Sequence, residues 1–276
     1  MHKNTPDIWN ANFFKESPIF QPIIPAHQDS TIKSKNWPSL IAYNHCLSNS
    51  VSNENNKNIS FVKQATQYPT FVEEYEPRIF LSGEVQTRLN NWHDFFQVLV
   101  WKTFPKTKSL LNKIHFDAAV LRQKTNDTQR TKQENFVTLF DECGSIVVAT
   151  ENKTLKMVKN FEWNRFFVEN KIQFGKTIDC IVFGHAMYEK ALSPYIGMTS
   201  HCLLLPVNLN FFKLSTDEKN HHIDKLISEH IRKISDLNTK NLNPLPILGI
   251  PGWHKEQTTD FYQNKTYFRP GRRKKK

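Results

Sequence analysis

The hydrophobic residues of the chain follow helical spacing most clearly in its middle third. There they repeat at the i, i+3, i+4, i+7 and i+8 positions of an amphipathic helix, and they are Trp92, Phe95, Phe96, Leu99 and Val100. We expect this helix to end at Phe104-Pro105, because proline disfavours helical conformation in the preceding residue yet fits the first turn of a new helix. A second helix, with a packing face over residues 110–121, is therefore predicted to follow.

Shorter apolar runs bounded by turn-forming residues predict strands. Buried strands are expected at residues 178–183 and at about 202–207, with a short helix over 184–192 between them. Residues 71–81 also have strand-like character. A further helix is predicted near residues 155–169.

Turn chemistry predicts three more features. Residues 136–140 and 145–149 flank Gly144 and predict a β-hairpin, with that glycine at positive φ. The sequence Ser215-Thr216-Asp217-Glu218 forms a capping box that should start a helix. Residues 244–253 contain three prolines and two glycines, so we expect an extended loop rather than a regular strand.

These elements predict an α+β fold, a single domain with several helices packed on a small mixed or antiparallel sheet. Residues 1–60 mix aromatics and prolines with an asparagine-rich stretch, which favours an irregular N-terminal arm and loop. The α+β domain should then cover residues 61–268. Residues 269–276 form a basic C-terminal tail, which we expect to be disordered.

The amino-acid composition argues against several classes of functional site. The eight glycines among 276 residues are too scattered for the glycine-rich loops that hold nucleotide phosphates. The four cysteines include no C-x-x-C pair, which argues against a zinc ribbon, an iron–sulfur site or a disulfide framework. No apolar stretch approaches the roughly 20 residues of a membrane span, and the first residues lack the apolar region of a secretory signal. We therefore expect a cytoplasmic protein without a membrane span; its oligomeric state is open.

The net charge of +11 is concentrated at the C-terminus. Six of the eleven charges belong to Arg269, Arg272, Arg273, Lys274, Lys275 and Lys276. Five remain for residues 1–268, so the body of the protein is only mildly basic. Such a tail is typical of a solvated segment that adds salt-dependent affinity for nucleic acid, another phosphate-bearing ligand or anionic lipid.

A polar cluster is predicted around the joint between the two central helices. Lys108, Asn112 and His115 are spaced i, i+4 and i+7 and share one helix face. His93 and His115 each lie eleven residues from the joint, so in an antiparallel pair of helices they would face each other, with Asp94 beside them. Two imidazoles and a carboxylate suit a divalent metal, or a general base oriented by an acid. The alternative is that these histidines only make structural hydrogen bonds.

A second group lies after a predicted buried strand, at a favoured place for a site. His185 and Glu189 are spaced i, i+4, which puts an imidazole above a carboxylate on one helix face. Asp141 and Glu142 fall in the predicted hairpin turn, where aspartate is favoured for its own backbone bonding. Both pairs therefore have a structural explanation as well as a functional one.

Several motifs of the chain occur together in one family. They are Asn91-Trp92-His93-Asp94-Phe95-Phe96, Phe104-Pro105 with Lys108, Asn112 and His115, Thr138-Leu139-Phe140-Asp141-Glu142, Gly184-His185-Ala186 with Glu189, Leu248-Gly249-Ile250-Pro251-Gly252-Trp253, and Phe268-Arg269-Pro270. On these motifs the chain resembles a bacterial family known as domain of unknown function 3025. The resemblance implies one continuous domain and a shared histidine and acid pattern, but no activity. Gln97 and Glu134-Asn135 depart from it, since the family looks to prefer asparagine and an Arg-Asp pair there.

The leading hypothesis is a metal- or histidine-dependent hydrolase that acts on a phosphate-bearing substrate, including nucleic acid. The candidate catalytic residues are His93, Asp94, His115, His185 and Glu189; the candidate ligands of a divalent metal are His93, His115 and Asp141; and the candidate substrate-binding residues are Arg88, Lys108, Asn112 and Arg269. One alternative is a non-catalytic nucleic-acid or anion-binding protein that uses the basic tail. Another is a protein-interaction module that docks partners on residues 244–253.

Overall fold

The computed structural model describes residues 7–28, 32–48, 50–67, 70–126 and 128–271. The α-helices of these ranges, in chain order, are α1 (Ile24–His27), α2 (Leu40–Leu47), α3 (Tyr75–Ser82), α4 (Trp92–Thr103), α5 (Pro105–Thr125), α6 (Lys132–Cys143), α7 (Asn152–Lys159), α8 (His185–Ala191), α9 (Thr216–Arg232) and α10 (Thr259–Gln263). The strands are β1 (Ser60–Lys63), β2 (Glu84–Thr87), β3 (Gly144–Ala149), β4 (Ile178–Val182), β5 (Thr199–Pro206) and β6 (Asn243–Pro246). A π-helix spans Asn164–Glu169, and 3-10 helices span Phe13–Lys15, Pro18–Ile23, Phe71–Glu73, Lys171–Gln173, Leu209–Lys213, Thr239–Asn241 and Ile247–Gly249.

The main sheet is small and mixed, as the sequence predicted. Its four strands have the order β4-β3-β5-β6; β3 runs antiparallel to β4 and parallel to β5, and β6 is antiparallel to β5. Every residue of β3 is buried, which is expected of a central strand covered on both faces. Strands β1 and β2 form a separate parallel pair. The α+β single-domain prediction is confirmed.

The joint between α4 and α5 is confirmed at Phe104-Pro105, with the proline at the first position of α5. Phe104 offers no side-chain cap, and a distant residue supplies one instead. The carboxylate of Asp224 on α9 accepts the backbone N–H groups of Lys106 and Thr107, at 2.9 and 2.8 Å. This satisfies two of the free donors at the start of α5 and fixes the helix that carries His115.

The predicted hairpin at residues 136–149 is wrong. Residues 132–143 form α6, which begins with a capping box between Thr131 and Glu134 and buries Phe136 and Phe140 on one face. Gly144 has φ −73° and starts β3, which pairs with β4 and β5 rather than with the preceding segment. The capping box and the i, i+4 aromatic pair favour a helix over a hairpin, and the correction moves Asp141 and Glu142 from a turn to the last turn of a helix.

The strand-like interpretation of residues 71–81 is also wrong. A short 3-10 helix is followed there by α3, with Pro77 in its first turn, where a missing N–H costs nothing. The helix ends at Gly83, whose φ of +79° is the left-handed conformation that glycine adopts without strain. Glu76 on α3 consequently faces the second central helix.

The prediction that residues 244–253 hold no regular ladder is wrong for residues 244–246, which belong to β6, whereas a 3-10 helix and turns follow from residue 247. Prolines are tolerated because β6 pairs with only one strand, β5, and lies at the edge of the sheet. Leu245, Leu248 and Ile250 of this segment are buried. Its apolar side chains therefore contribute to the core, while Trp253 is partly buried.

The N-terminal segment packs against the domain through aromatic side chains. Phe13 and Phe20 are fully buried and contact Phe96 of α4, with ring centroids 5.3 and 5.8 Å apart. The backbone carbonyl of Pro22 accepts the side-chain amide of Asn220 at 2.6 Å. At the other end, the basic tail was predicted over residues 269–276, of which residues 272–276 lie outside the described residues. Within the described ranges, no helix has both the length and the apolar composition that crossing a bilayer requires.

Candidate metal centre in a polar cavity

Helices α3, α4, α5, α6 and α8 surround a cavity of about 430 Å³. The side chains that line it are unusually rich in charge, with six carboxylates, three guanidinium groups and three imidazoles. These residues are Glu74, Glu76, Asp94, Glu134, Asp141, Glu142, Arg88, Arg122, Arg130, His93, His115 and His185. The side chains of His93 and Glu142 are 25% and 40% exposed, so a small ligand can reach them from solvent.

Two histidines from different helices meet at the cavity wall. His93 is the second residue of α4 and His185 is the first residue of α8. Their Nε2 atoms lie 3.0 Å apart, and the two rings cross at 79°. His185 follows directly on the C-terminal end of β4, so the buried strand positions one ring while α4 positions the other.

Glu142 completes a three-residue group. Its Oε2 lies 3.6 Å from Nε2 of His185 and 3.9 Å from Nε2 of His93. The three ligand atoms fall within 4.8 Å of one another. The approach of α6 to α8 depends on Gly184, because a Cβ there would lie 2.4 Å from the backbone oxygen of Glu142.

Carboxylates face the other ring nitrogen of each histidine. Nδ1 of His93 donates to Oε2 of Glu189 at 2.8 Å, because an ionised carboxylate can only accept. Nδ1 of His185 lies 3.7 Å from Oδ2 of Asp141, which is too far for a hydrogen bond, and this buried nitrogen has no hydrogen-bond partner among the described residues. Both Nε2 atoms lie on the side of Glu142, and the hydrogen bond from Nδ1 of His93 to a carboxylate is typical of histidines that bind metal ions.

The two histidines have opposite pKa shifts. Burial lowers the pKa of His185 to about 3, and the nearby charges of Lys108 and His93 act in the same direction, so its ring is neutral near pH 7. Burial also lowers the pKa of His93, but the hydrogen bond to Glu189 and the charges of Glu142, Glu189 and Asp94 outweigh it, so the net shift is upward. Burial raises the pKa of Glu142. A neutral imidazole beside groups that attract positive charge suits cation binding.

A buried ion pair between Lys108 and Asp141 lies next to the ring of His185. Nζ of Lys108 donates to both carboxylate oxygens of Asp141, at 2.7 and 2.8 Å, and only 5% of the lysine side chain is exposed. Burial alone would raise the pKa of Asp141, but Lys108 and His185 hold it below its ordinary value. Asp141 therefore stays ionised next to the ring of His185.

Two of the three cavity arginines are paired with acids of the protein. Arg88 contacts Asp94 through its backbone N–H, its Nε and its Nη2, at 2.5, 3.1 and 2.8 Å. Arg122 pairs with the buried Glu134. Arg130 also lines the cavity and, among the residues that the structure describes, has no carboxylate partner.

The remaining predicted site residues lie at different distances from this group. His115 lines the same cavity, but its neighbour is Glu76, whose Oε1 lies 4.0 Å from its Nε2. Asn112 is buried and donates to the other oxygen of Glu76 at 2.8 Å. Arg269 lies elsewhere, where its backbone oxygen accepts the indole N–H of Trp163 at 2.7 Å.

The sequence therefore nominated His93, His185, Glu189 and Asp141, and the structure brings these four together. Glu142 was not among the candidate site residues, because its segment was assigned to a hairpin turn. Helical spacing was the available signal: Thr138 and Glu142 are i, i+4 on α6, and both line the cavity. The structure places His185 beside His93, whereas the neighbour of His115 is Glu76.

A family model described as "Protein of unknown function (DUF3025)" matches residues 59–272. The chain belongs to the DUF3025 family. No curated protein and no solved structure is similar enough to the chain to count as a match.

The DUF3025 match includes His93, Glu142 and His185. The two departures from the expected family pattern have structural roles near the site. Gln97 donates to the hydroxyl of Tyr75 at 2.8 Å, while Glu134 caps α6 and Asn135 is exposed.

Proposed function

We propose that this DUF3025 protein is a metal-dependent hydrolase whose divalent ion is bound by His93, His185 and Glu142. The observation that carries the proposal is the convergence of two Nε2 atoms and one carboxylate oxygen at the wall of a polar cavity. Two histidines and one glutamate form a known ligand set of catalytic zinc, and three protein ligands leave a position for water or substrate. The same number and type of ligands also suits iron(II).

The distances fit such an ion with small adjustments. Two nitrogens bound at about 2.0–2.1 Å with tetrahedral angles lie roughly 3.3 Å apart, against 3.0 Å between the two Nε2 atoms here. The carboxylate oxygen at 3.6 and 3.9 Å would move closer by a few tenths of an ångström. Glu142 is only partly buried, with 40% of its side chain exposed, so rotation of its side chain can supply this movement.

The chemistry is hydrolysis by a metal-activated water. A bound divalent ion lowers the pKa of its water to about 7, which supplies hydroxide as a nucleophile at neutral pH. The hydroxide forms the new bond to phosphorus, the bond from phosphorus to the leaving oxygen breaks, and the leaving oxygen takes a proton. His115, held beside Glu76 on the same cavity, is the proposed donor of that proton.

The charges of the cavity favour a small substrate with one anionic group. Arg130 is the proposed contact for that group, because Arg88 and Arg122 are already paired with Asp94 and Glu134. Six carboxylates line the cavity against three arginines, so a long polyanion would be repelled here. A phosphate ester of a small molecule therefore fits this cavity better than a nucleic acid does.

The test combines metal binding with hydrolysis. Purified protein is titrated with Zn²⁺ and with Mn²⁺ by calorimetry, and hydrolysis of p-nitrophenyl phosphate is followed by absorbance. We expect one ion per chain, with binding and activity both lost in His93→Asn and His185→Asn. His115→Asn should keep the metal and lose activity, and His254→Asn, which lies outside the cavity lining, should keep both. Full binding of either ion by the double variant of His93 and His185 would overturn the proposal.

A further inference from the structure

A second concave surface lies between α7, the end of β5, the C-terminal end of α9 and the start of β6. This groove has a volume of about 520 Å³. Its residues are Asn152, Leu155, Lys156, Lys159, Leu204, Pro206, His230, Ile234, Lys240, Asn241 and Asn243. None of them lines the cavity that holds the candidate metal ligands.

The charge of the groove has a single sign. Three lysines line it, Lys156, Lys159 and Lys240, and its described lining contains no aspartate or glutamate. Lys156 and Lys159 are one helical turn apart on α7, so both ammonium groups extend from the same helix face. All three side chains are exposed, and none pairs with a carboxylate in the described ranges. Positive charge that the protein does not neutralise is available to an anionic partner.

The side chains around these lysines are better suited to bind phosphate groups than the carboxylates of an acidic protein. Asn152, Asn241 and Asn243 bring side-chain amides to the walls, and burial lowers the pKa of His230, with Lys233 acting in the same direction. A neutral imidazole and amides can donate to phosphate oxygens, and lysine is a common phosphate contact. The apolar floor, which includes Leu155 and Ile234, can receive the sugar or base of a nucleotide.

Arg269 and Gly271 are held close to the end of the same helix. Gly271 packs so tightly on Phe161, the second residue after α7, that a Cβ there would lie 2.5 Å from the ring. The indole N–H of Trp163 donates to the backbone oxygen of Arg269. In the sequence, five basic residues follow Gly271.

We propose that this groove binds the phosphate backbone of a single-stranded nucleic acid. A nucleic-acid strand can lie along this concave surface and contact both its lysines and its apolar floor. A flat anionic bilayer would not reach the floor. The described lining contains no phenylalanine, tyrosine or tryptophan, so it lacks the side chains on which single-strand binding proteins commonly stack bases. Binding therefore depends on phosphate contacts and not on base sequence.

The test measures binding of fluorescein-labelled oligothymidine and oligouridine by anisotropy, from about 50 to 200 mM NaCl. Each neutralised phosphate of a single strand contributes a slope of about −0.7 to the plot of log affinity against log salt. The triple variant Lys156→Gln, Lys159→Gln, Lys240→Gln should reduce this slope by about 2 and lower the affinity at least tenfold at the lowest salt. Full-length protein is used throughout.

The matched control changes three exposed lysines outside the groove, Lys63→Gln, Lys171→Gln and Lys213→Gln, and should leave the affinity within about twofold and the slope unchanged. An unchanged slope in the groove variant would overturn the proposal, because any binding would then belong to another surface. So would binding to vesicles of phosphatidylserine with no binding to either oligonucleotide.

Discussion

Nε2 of His93 lies 3.0 Å from Nε2 of His185, although 92 positions separate the two residues in the chain. Two imidazole nitrogens at this distance need a proton or a cation between them, because two facing lone pairs repel. Carboxylates face both Nδ1 atoms, so both Nε2 atoms can offer lone pairs once His93 has lost its second proton. A divalent cation satisfies this arrangement, and the first two predictions follow from it.

Metal affinity should fall in acid. The pKa of His93 is raised, so its proton must leave before Nε2 can bind an ion, whereas His185 is already neutral above a pKa of about 3. Protons compete with the metal below the raised pKa of His93, and the competition disappears as the pH rises through it. Calorimetry in two buffers of different ionisation enthalpy should show release of up to one proton from His93 on binding below that pKa, and none well above it. Affinity that is constant across this range would contradict the role given to His93.

Glu189 should increase the affinity of the site for the metal without binding the metal itself. Glu189→Gln keeps the shape of the side chain and an oxygen that can accept Nδ1–H of His93, but it removes the negative charge, so the ring becomes less basic. We expect metal affinity to fall by about 10- to 100-fold, measured by competition with a chelator of known affinity. Glu256→Gln, at an exposed residue far along the chain, is the control. Equal affinities of the two variants would show that Glu189 has no part in the site.

Lys108 and Asp141 should be strongly coupled in stability. Lys108→Met leaves the carboxylate of Asp141 without its principal partner, and loss of one member of a buried pair costs about 3 kcal/mol in the free energy of unfolding. Asp141→Asn should cost a similar amount, and the double variant should cost clearly less than the two together. Urea denaturation of the four proteins measures this cycle. Additive losses would mean that the two side chains do not interact in solution.

Gly184 should be required for both stability and metal binding. In Gly184→Ala the new Cβ would lie 2.4 Å from the backbone oxygen of Glu142 and 2.5 Å from the backbone nitrogen of Gly144. The backbone must shift, which costs about 1–3 kcal/mol and displaces Glu142 from the two histidines. Gly175→Ala is the control, because its φ of +80° is strained for alanine but no atom lies within 4 Å of the new Cβ. That variant should lose stability and keep its metal affinity.

Local signals in the sequence predicted the framework well. The aromatic stripe of α4, the proline that starts α5 and the capping box of α9 depend on neighbouring residues, and each is found where it was expected. The predicted hairpin was wrong because the residues around Gly144, which do form a strand, were expected to pair with the segment that precedes them. The partners of β3 are instead β4 and β5, which come later in the chain, and no local pattern specifies a partner at that separation.

The sequence identified individual site residues but not which of them lie together in the fold. His93 and His185 were each recognised from neighbouring acids, but the pairing of His93 with His115 assumed that the joint between α4 and α5 determines which residues meet. In the fold, α8 lies against α4 and brings His185 to His93, while α3 supplies Glu76 to His115. These contacts come from the packing of non-adjacent helices, which spacing within one helix pair does not encode.

The most direct test of the metal centre is anomalous X-ray diffraction at the zinc absorption edge, from crystals of the full-length protein grown with Zn²⁺. The predicted result is one strong peak per chain, about 2.0–2.2 Å from Nε2 of His93, Nε2 of His185 and a carboxylate oxygen of Glu142. Absence of a peak between these three side chains, with zinc bound elsewhere or not at all, would contradict it.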